Sequence, residues 1–356
     1  MRTIIVGGVA GGMSAATRLR RLDESAEIIV LERSGHVSYA NCGLPYYVGG
    51  VIAEEEKLYL QTPESLYKRF RLDVRVNNEV VKIDSERKIL FSRDLITGNE
   101  QELSYDKLIL SPGASPVIPP IPGIERALTL RTVEDVLKIF DAVSDLPKSA
   151  VVIGGGFIGV ELVENLVHKG IKSSLVEALP QVLAPLDPEM AELVHKEIRK
   201  HGVDLRLGAS VTEITDTKVI LSDGQSINAE LVIAAIGVRP DTKLAQIAGV
   251  KIGVRGGIEV NQFNQTSNPD IYAIGDAAEK KDELTGESTL IPLANLANRH
   301  GRITADHIAG QKVREVRSIG TAIVKVFDLA VATTGWNAKR LTAANRKFQE
   351  IHSHPN

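Results

Sequence analysis

Along this chain the hydrophobic pattern changes period twice in nearly the same way. "RTIIVGGVAGGMSAATRLRRL", from Arg2, opens as an unbroken β-branched run, stops at glycines and resumes with apolar residues at helical spacing. "SAVVIGGGFIGVELVENLVHKG", from Ser149, repeats the plan, with its strand over Ala150 to Ile153. Each copy predicts strand, glycine turn and helix. Further strand-like runs follow: "AEIIVLE" ends in Glu32, "KSSLVEA" reaches Glu177, and Ile271 to Ile274 delivers Gly275 and Asp276 at its end. Thr62, Pro63, Glu64 and Ser65 carry a helix-start signature. Prolines in "SPGASPVIPPIPG" and the turn "GVRPDT" mark two crossings between units. After Gly320, "TAIVKVFDLAVATTGW" alternates and predicts a strand pair, with an exposed apolar patch expected around Ile323, Val324, Val326, Phe327 and Val331. "VSYANCGLPYYVGG", from Val37, fits neither period, although Gly43 and Pro45 stand where a helix can begin.

The glycines turn the repeat into chemistry. In the second copy Gly154, Gly156 and Gly159 form a complete G-x-G-x-x-G: a tight turn, a close backbone approach to a pyrophosphate, and a helix packed on its strand with its N-terminus toward the phosphates. Glu177 lies eighteen residues on, at the separation expected of a carboxylate that holds an adenosine ribose. The first copy has Gly7, Val9 and Gly12, with Gly8 and Gly11 expected to relieve the crowding that Val9 introduces, and Glu32 twenty residues after Gly12. Two dinucleotide sites in one chain suggest a flavin and a nicotinamide. Asp276, fixed at a strand end, suits the ribitol hydroxyls of FAD; a solvated turn residue is the plainer alternative.

Composition excludes more than it selects. The 356 residues are 43% hydrophobic and 24% charged, as in soluble globular chains of two or more domains. Lysine plus arginine number 42 against 45 aspartate plus glutamate, a net charge of -3 that recommends neither nucleic acid nor an anionic membrane as partner. With no long apolar stretch at its start, the chain reads as cytoplasmic. Cys42 is the single cysteine, which rules out an internal disulfide and disfavours structural zinc; no metal ligands are assigned. His352 and His354, in the terminal "IHSHPN", have no evident partners and receive no catalytic role.

The segments "GGVAGGMSAA", "SYANCGLPYYVGG", "YDKLILSPGASP", "GGGFIGVELVENL", "AAIGVRPDT", "YAIGDAAE" and "PLANLANRHGRI" together resemble the single-cysteine flavoprotein disulfide reductases, the group of coenzyme A disulfide reductases, NADH oxidases, NADH peroxidases and persulfide reductases. The resemblance implies an α/β fold of two Rossmann-like dinucleotide-binding domains: an FAD domain over residues 1–115 and 245–318, an NAD(P)H domain over 116–244 inserted between, and the start of an α+β interface domain over 319–356. Full-length members of the group form homodimers through that last domain, which this sequence holds only in part. The implied FAD cradle comprises Gly7, Gly8, Val9, Ala10, Gly11, Gly12, Glu32, Arg33, Ser111, Pro112, Gly113, Gly275, Asp276 and Ala294. The implied nicotinamide site comprises Gly154, Gly156, Phe157, Ile158, Gly159, Glu161, Glu177 and Gly237, for NADH rather than NADPH, since no basic residue follows Glu177 in "VEALPQ". Cys42 would lie against the flavin as the redox nucleophile, its thiolate favoured by a helix start or positive charge. Coenzyme A contacts would come from Ser14, Arg18, Arg21, Ser38, Asn41, Lys68, Arg69 and Asn298; the arginines read equally as a solvated helix face. The expected activity is NADH-dependent reduction of coenzyme A disulfide or persulfide. An NADH oxidase or peroxidase cycling through a Cys42 sulfenic acid, and a flavin-binding redox sensor without turnover, are the alternatives.

Overall fold

A computed structural model describes residues 1–314 and 317–353, so His354 lies outside the described residues. The repeat read from the hydrophobic pattern extends through the whole of two sheets. Strand Arg2–Val6 lies between Glu27–Leu31 and Lys107–Leu110, with Asp73–Arg75 and Ile271–Ala273 at the edges, all parallel. In the second sheet Ser149–Ile153 lies between Lys172–Glu177 and Leu231–Ala234, with Asp204–Leu207 and Leu128–Thr129 outermost, again all parallel. The central strands are apolar on both faces because both faces are covered: Ile5 and Val152 pack with helix residues, Ile4 and Val151 with residues of an antiparallel ribbon, and none of the four has exposed surface. Each sheet has its glycine turn where the strand order reverses, the position at which α/β sheets open a crevice.

The repeat also includes an element that the hydrophobic pattern did not predict. A three-stranded antiparallel ribbon precedes the strand Lys107–Leu110 in the first sheet and Leu231–Ala234 in the second: Asn78–Asp84, Ile89–Asp94 and Glu100–Ser104 in the first, Val211–Ile214, Lys218–Leu221 and Ser226–Asn228 in the second. The two predicted crossings meet. Ala114–Pro116 pairs antiparallel with Val238–Pro240, and the N–H groups of Val117 and Asp241 donate to the carbonyls of Gly237 and Gly113 at 2.9 and 3.0 Å. The proline-rich stretches therefore hold each other.

Beyond Gly320 the expected strand pair is present as Ala322–Val326 against Leu329–Thr333, but the expected exposed patch is mostly buried. Ile323 is 75% exposed, whereas Val324, Val326 and Phe327 are 3%, 0% and 3% exposed, and Val331 packs half-buried on the same core. One face of the hairpin lies on helices Phe157–His168 and Pro188–Lys200. The Phe327 ring stacks on His201 at 4.1 Å, and its N–H donates to the buried Glu164 carboxylate at 3.0 Å. Among the described residues no helix is long and apolar enough to cross a membrane.

Candidate functional site

The two glycine turns match down to individual hydrogen bonds. Gly7 and Gly154 take the left-handed φ of 98° and 108°. A Cβ on Gly12 or Gly159 would stand 1.9 or 1.8 Å from the carbonyl oxygen of Gly7 or Gly154, so both positions exclude any side chain. Glu32 accepts from the N–H groups of Gly8 and Ser34 at 2.8 and 2.9 Å; Glu177 accepts from those of Gly155 and Leu179 at 2.6 and 2.8 Å. Each carboxylate is thereby fixed at the lip of its turn with lone pairs left for a hydroxyl. A Cβ on Gly156 would meet nothing within 4 Å, which explains how Val9 is accommodated at the matching place in the first copy. Gly11 does not serve to relieve Val9: the atoms nearest its absent Cβ belong to Ser111, Ile274 and Ala297.

The helices that follow fit phosphate. Helices Ala10–Leu22 and Phe157–His168 have neither a side-chain cap nor an acid in the first turn, whereas Thr62 and Thr132 close their helices with full capping boxes. Open first-turn N–H groups at the end of a glycine turn are suited to a pyrophosphate. Ala10, Phe157 and Ile158 stand in these first turns, and Ala294 opens a third helix, Ala294–Ile308.

The first crevice gathers most of its predicted residues. Ser111 donates its N–H to Val6 and, with Pro112, adjoins Gly7; Gly275 adjoins Ser111. Arg33 reaches across to Asp241, Nη1 to Oδ2 3.4 Å, on the chain leaving the second crossing. Asp276 is not a solvated turn residue: its Oδ2 accepts from Arg131 Nη2 at 2.7 Å, and Arg131 Nε also donates to Ala114 at 3.1 Å. Arg131 adjoins Gly113 as well. Sequence reasoning missed Arg131, which directly precedes the Thr132 cap and carries no motif of its own. It also missed Lys280, a buried ammonium that donates to the carbonyls of Gly275 and of Ala278; burial lowers it to about 8, while Asp276 opposes the fall.

Cys42 lies in the short turn Asn41–Gly43, directly before helix Leu44–Val48, where Gly43 and Pro45 suggested a helix start. Cys42 is exposed as a residue, yet the protein around its thiol withdraws enough water to raise it above its ordinary range. Glu161 raises it further and Asp276 adds to that, while Arg131 pulls it down. In the protein alone the surroundings thus hold the thiol protonated, contrary to the expectation of a favoured thiolate. Glu161 is the neighbour from the second unit. Burial pushes its carboxyl up to about 7, Tyr46 Oη donates to its Oε1 at 3.4 Å and opposes the rise, and Glu164 one turn on adds to it. Asn165 anchors the same turn by donating to the Glu161 carbonyl at 2.8 Å. Groups from both units therefore act on one thiol.

The predicted substrate residues fall into separate groups. Ser14 Oγ donates to Asn298 Oδ1 at 2.9 Å, uniting two of them. Arg18 is ion-paired with Asp306 at 2.7 Å, whereas Arg21 and Arg69 stand 5.6 and 5.1 Å from the centre of the Phe70 ring, making a shared cationic patch. Lys68 is exposed on the same helix as Arg69. Ser38, with its φ of 47°, ties the Gly8 carbonyl to the segment before Cys42, and the N–H of Asn41 bonds to Tyr39. His352 does have carboxylate neighbours, Glu350 at 3.2 Å and Glu189 at 3.7 Å. A second acidic group, Glu197, His201 and Asp328, is bridged by Lys200 at 3.4 Å from Glu197 and 3.0 Å from Asp328, so an internal cation already offsets part of its charge.

Two strand, glycine-turn and helix units with matched carboxylates define an α/β protein of two Rossmann-like dinucleotide-binding domains. The chain belongs to the pyridine nucleotide-disulphide oxidoreductase family, whose model matches residues 1–301, and is thus an oxidoreductase. It is 36% identical over 345 residues to a protein named NADH oxidase from Methanocaldococcus jannaschii, covering 95% of this chain and 77% of that one. It is 33% identical over 358 residues to a coenzyme A disulfide reductase of Staphylococcus aureus, covering 98% of this chain and 80% of the relative. The crystal structure of reduced Bacillus anthracis CoADR-RHD superposes with a TM-score of 0.96 at 50% identity; the match covers 97% of this chain but only 63% of that longer one.

Proposed function

We propose that this chain is an NADH-dependent flavoprotein that reduces coenzyme A disulfide or coenzyme A persulfide through Cys42. The observation that carries the reading is the setting of that thiol: exposed, subject to Asp276 from one unit and to Glu161 and Arg131 from the other. A thiol without an internal partner takes its second sulfur from the substrate. Residues 1–115 and 245–318 hold FAD, with Gly7 to Gly12, Glu32, Ser111 to Gly113, Gly275, Asp276 and Ala294 in its cradle. Residues 116–244 hold NADH at Gly154 to Gly159, Glu177 and Gly237. FAD and NADH supply the hydride and electron-pair chemistry when bound. The chain's own residues do the rest: open helix ends receive the pyrophosphates, Glu32 and Glu177 receive ribose hydroxyls, and Cys42 receives the substrate sulfur. The cationic patch of Arg21 and Arg69 suits the phosphates of coenzyme A.

The test is an anaerobic titration. NADH should bleach the flavin absorbance, and coenzyme A disulfide should restore it with release of free thiol in wild type but not in Cys42→Ser. Restoration by oxygen or peroxide alone would favour the second reading, an NADH oxidase or peroxidase, for which the 36% identity to a protein of that name speaks. Bleaching with no acceptor among these would leave a redox sensor.

A further inference from the structure

Resting on the proposed function, with FAD on the first unit and NADH on the second, we infer that Gly49 and Asn165 are positioning residues. Their contact sets how closely the helix after Cys42 sits on the nicotinamide helix Phe157–His168, and so the alignment for hydride transfer. The glycine is not explained by its backbone. Gly49 caps helix Leu44–Val48 with φ -74° and ψ -12°, values that any residue adopts, and alanine is the better helix former. What excludes a side chain is Asn165. A Cβ on Gly49 would stand 2.0 Å from its Oδ1, 2.7 Å from its Cγ and 2.8 Å from its Cβ. Turning the amide away does not clear the place, because the Asn165 Cβ stays where its helix puts it.

Asn165 is equally specific on its own side. It is 1% exposed, and its Nδ2 donates to the Glu161 carbonyl at 2.8 Å, which fixes the amide with Oδ1 toward Gly49. Among the described residues that Oδ1 accepts no hydrogen bond from nitrogen or oxygen. Leaving a buried amide oxygen so is costly, and Gly49 offers it a Cα–H, a weak donor that only a residue without a side chain brings so near. Neighbouring contacts complete the seat. The Tyr47 ring stacks on Phe140 of helix Val133–Ser144 at 4.6 Å, and Lys169, 5.6 Å from the centre of the same Phe140 ring, adjoins Gly50.

The chemistry depends on this spacing. Transfer of a hydride from NADH to FAD leaves NAD⁺ and the reduced flavin, and its donor and acceptor are held by different units. A misplacement of about 1 Å can cost on the order of a hundredfold in such a step. To bring a Cβ at position 49 from 2.0 Å to an ordinary contact of 3.4 Å, the two helices have to part by up to about 1.4 Å. Gly159 and Glu161 share the Asn165 helix, so that displacement moves the nicotinamide site with it.

The test uses the FAD-loaded full chain with Gly49→Ala, Asn165→Gly and the two combined, which moves the glycine to the other helix. Stopped-flow reduction by NADH gives a limiting rate and a Kd, and calorimetry gives the melting temperature. Gly49→Ala should lower the limiting rate at least about tenfold and leave the Kd for NADH within about twofold, since Gly154 to Gly159 and Glu177 lie on one unit. The combined variant should recover the rate to within about threefold of wild type, although a glycine inside a helix keeps its melting temperature low. A residue that only stabilised the fold would not separate rate from melting temperature in this way. An unchanged limiting rate in Gly49→Ala, or a loss that Asn165→Gly does not relieve, would overturn the positioning role. If NADH does not reduce the wild-type flavin, the proposed function fails, and the melting temperatures still decide the contact. Gly49→Ala should be harmful in wild type and nearly neutral beside Asn165→Gly; equal effects in both backgrounds would sink it.

Discussion

Truncating Phe327 tests whether the C-terminal hairpin is part of the second unit's core. The ring is 3% exposed, stacked on His201 at 4.1 Å and edge-on to His168 at 6.1 Å. Deleting a buried phenylalanine side chain costs about 3 to 5 kcal/mol. The residue also holds a left-handed φ of 51°, which disfavours any side chain with a Cβ by roughly 1 kcal/mol. Phe327→Ala should therefore lose the full packing energy and retain the backbone strain, whereas Phe327→Gly should lose the same packing and relieve the strain. Glycine should be no worse than alanine, the reverse of the order at an ordinary strand position. Calorimetry of the FAD-loaded protein should show a melting temperature lower by about 6 °C or more for alanine. Limited proteolysis should cut first between residues 320 and 340. A loss below about 2 °C, with unchanged proteolysis, would mean that the hairpin is not docked in solution and that the buried contacts of Val324, Val326 and Phe327 contribute nothing.

Gly159→Ala should prevent correct packing of its helix, since the new Cβ would sit 1.8 Å from the Gly154 carbonyl, whereas Gly156→Ala should fold normally and lose only affinity for NADH; circular dichroism with NADH titration separates the two. Glu177 should give NADH the higher kcat/KM over NADPH, whose 2′-phosphate it repels, and steady-state kinetics with both nucleotides will show a reversed order if it lies elsewhere. Arg21→Ala and Arg69→Ala should raise KM for coenzyme A disulfide by about tenfold each, at about 1.5 kcal/mol per lost charge-assisted contact, and leave a small phosphate-free disulfide unaffected; equal effects on both would make the patch an ordinary surface. Arg18→Ala should act mainly on stability, because its guanidinium is engaged by Asp306 at 2.7 Å.

The sequence by itself determined what depends on local spacing. Apolar runs, the glycines after them and the acids that end the next strands predicted both dinucleotide units, and Thr62 and Ser65 predicted a capped helix that forms as expected over Pro63–Phe70. A backbone that must turn left-handed, or pass within 2 Å of where a Cβ would stand, accepts only glycine, so such positions are legible without a structure. The paired ribbons escaped because their strands are short and half-exposed, leaving no clean alternation. Tertiary structure alone decided the rest. Whether Val324 and Phe327 face water depended on helices more than a hundred residues earlier in the chain. Arg131 became a partner of Asp276 only when two distant turns met, and Glu161 acquired a carboxyl near 7 because folding buried it, with Glu164 adding to the rise. Charge and burial at a site are sums over neighbours in space, and the linear chain records only neighbours in sequence.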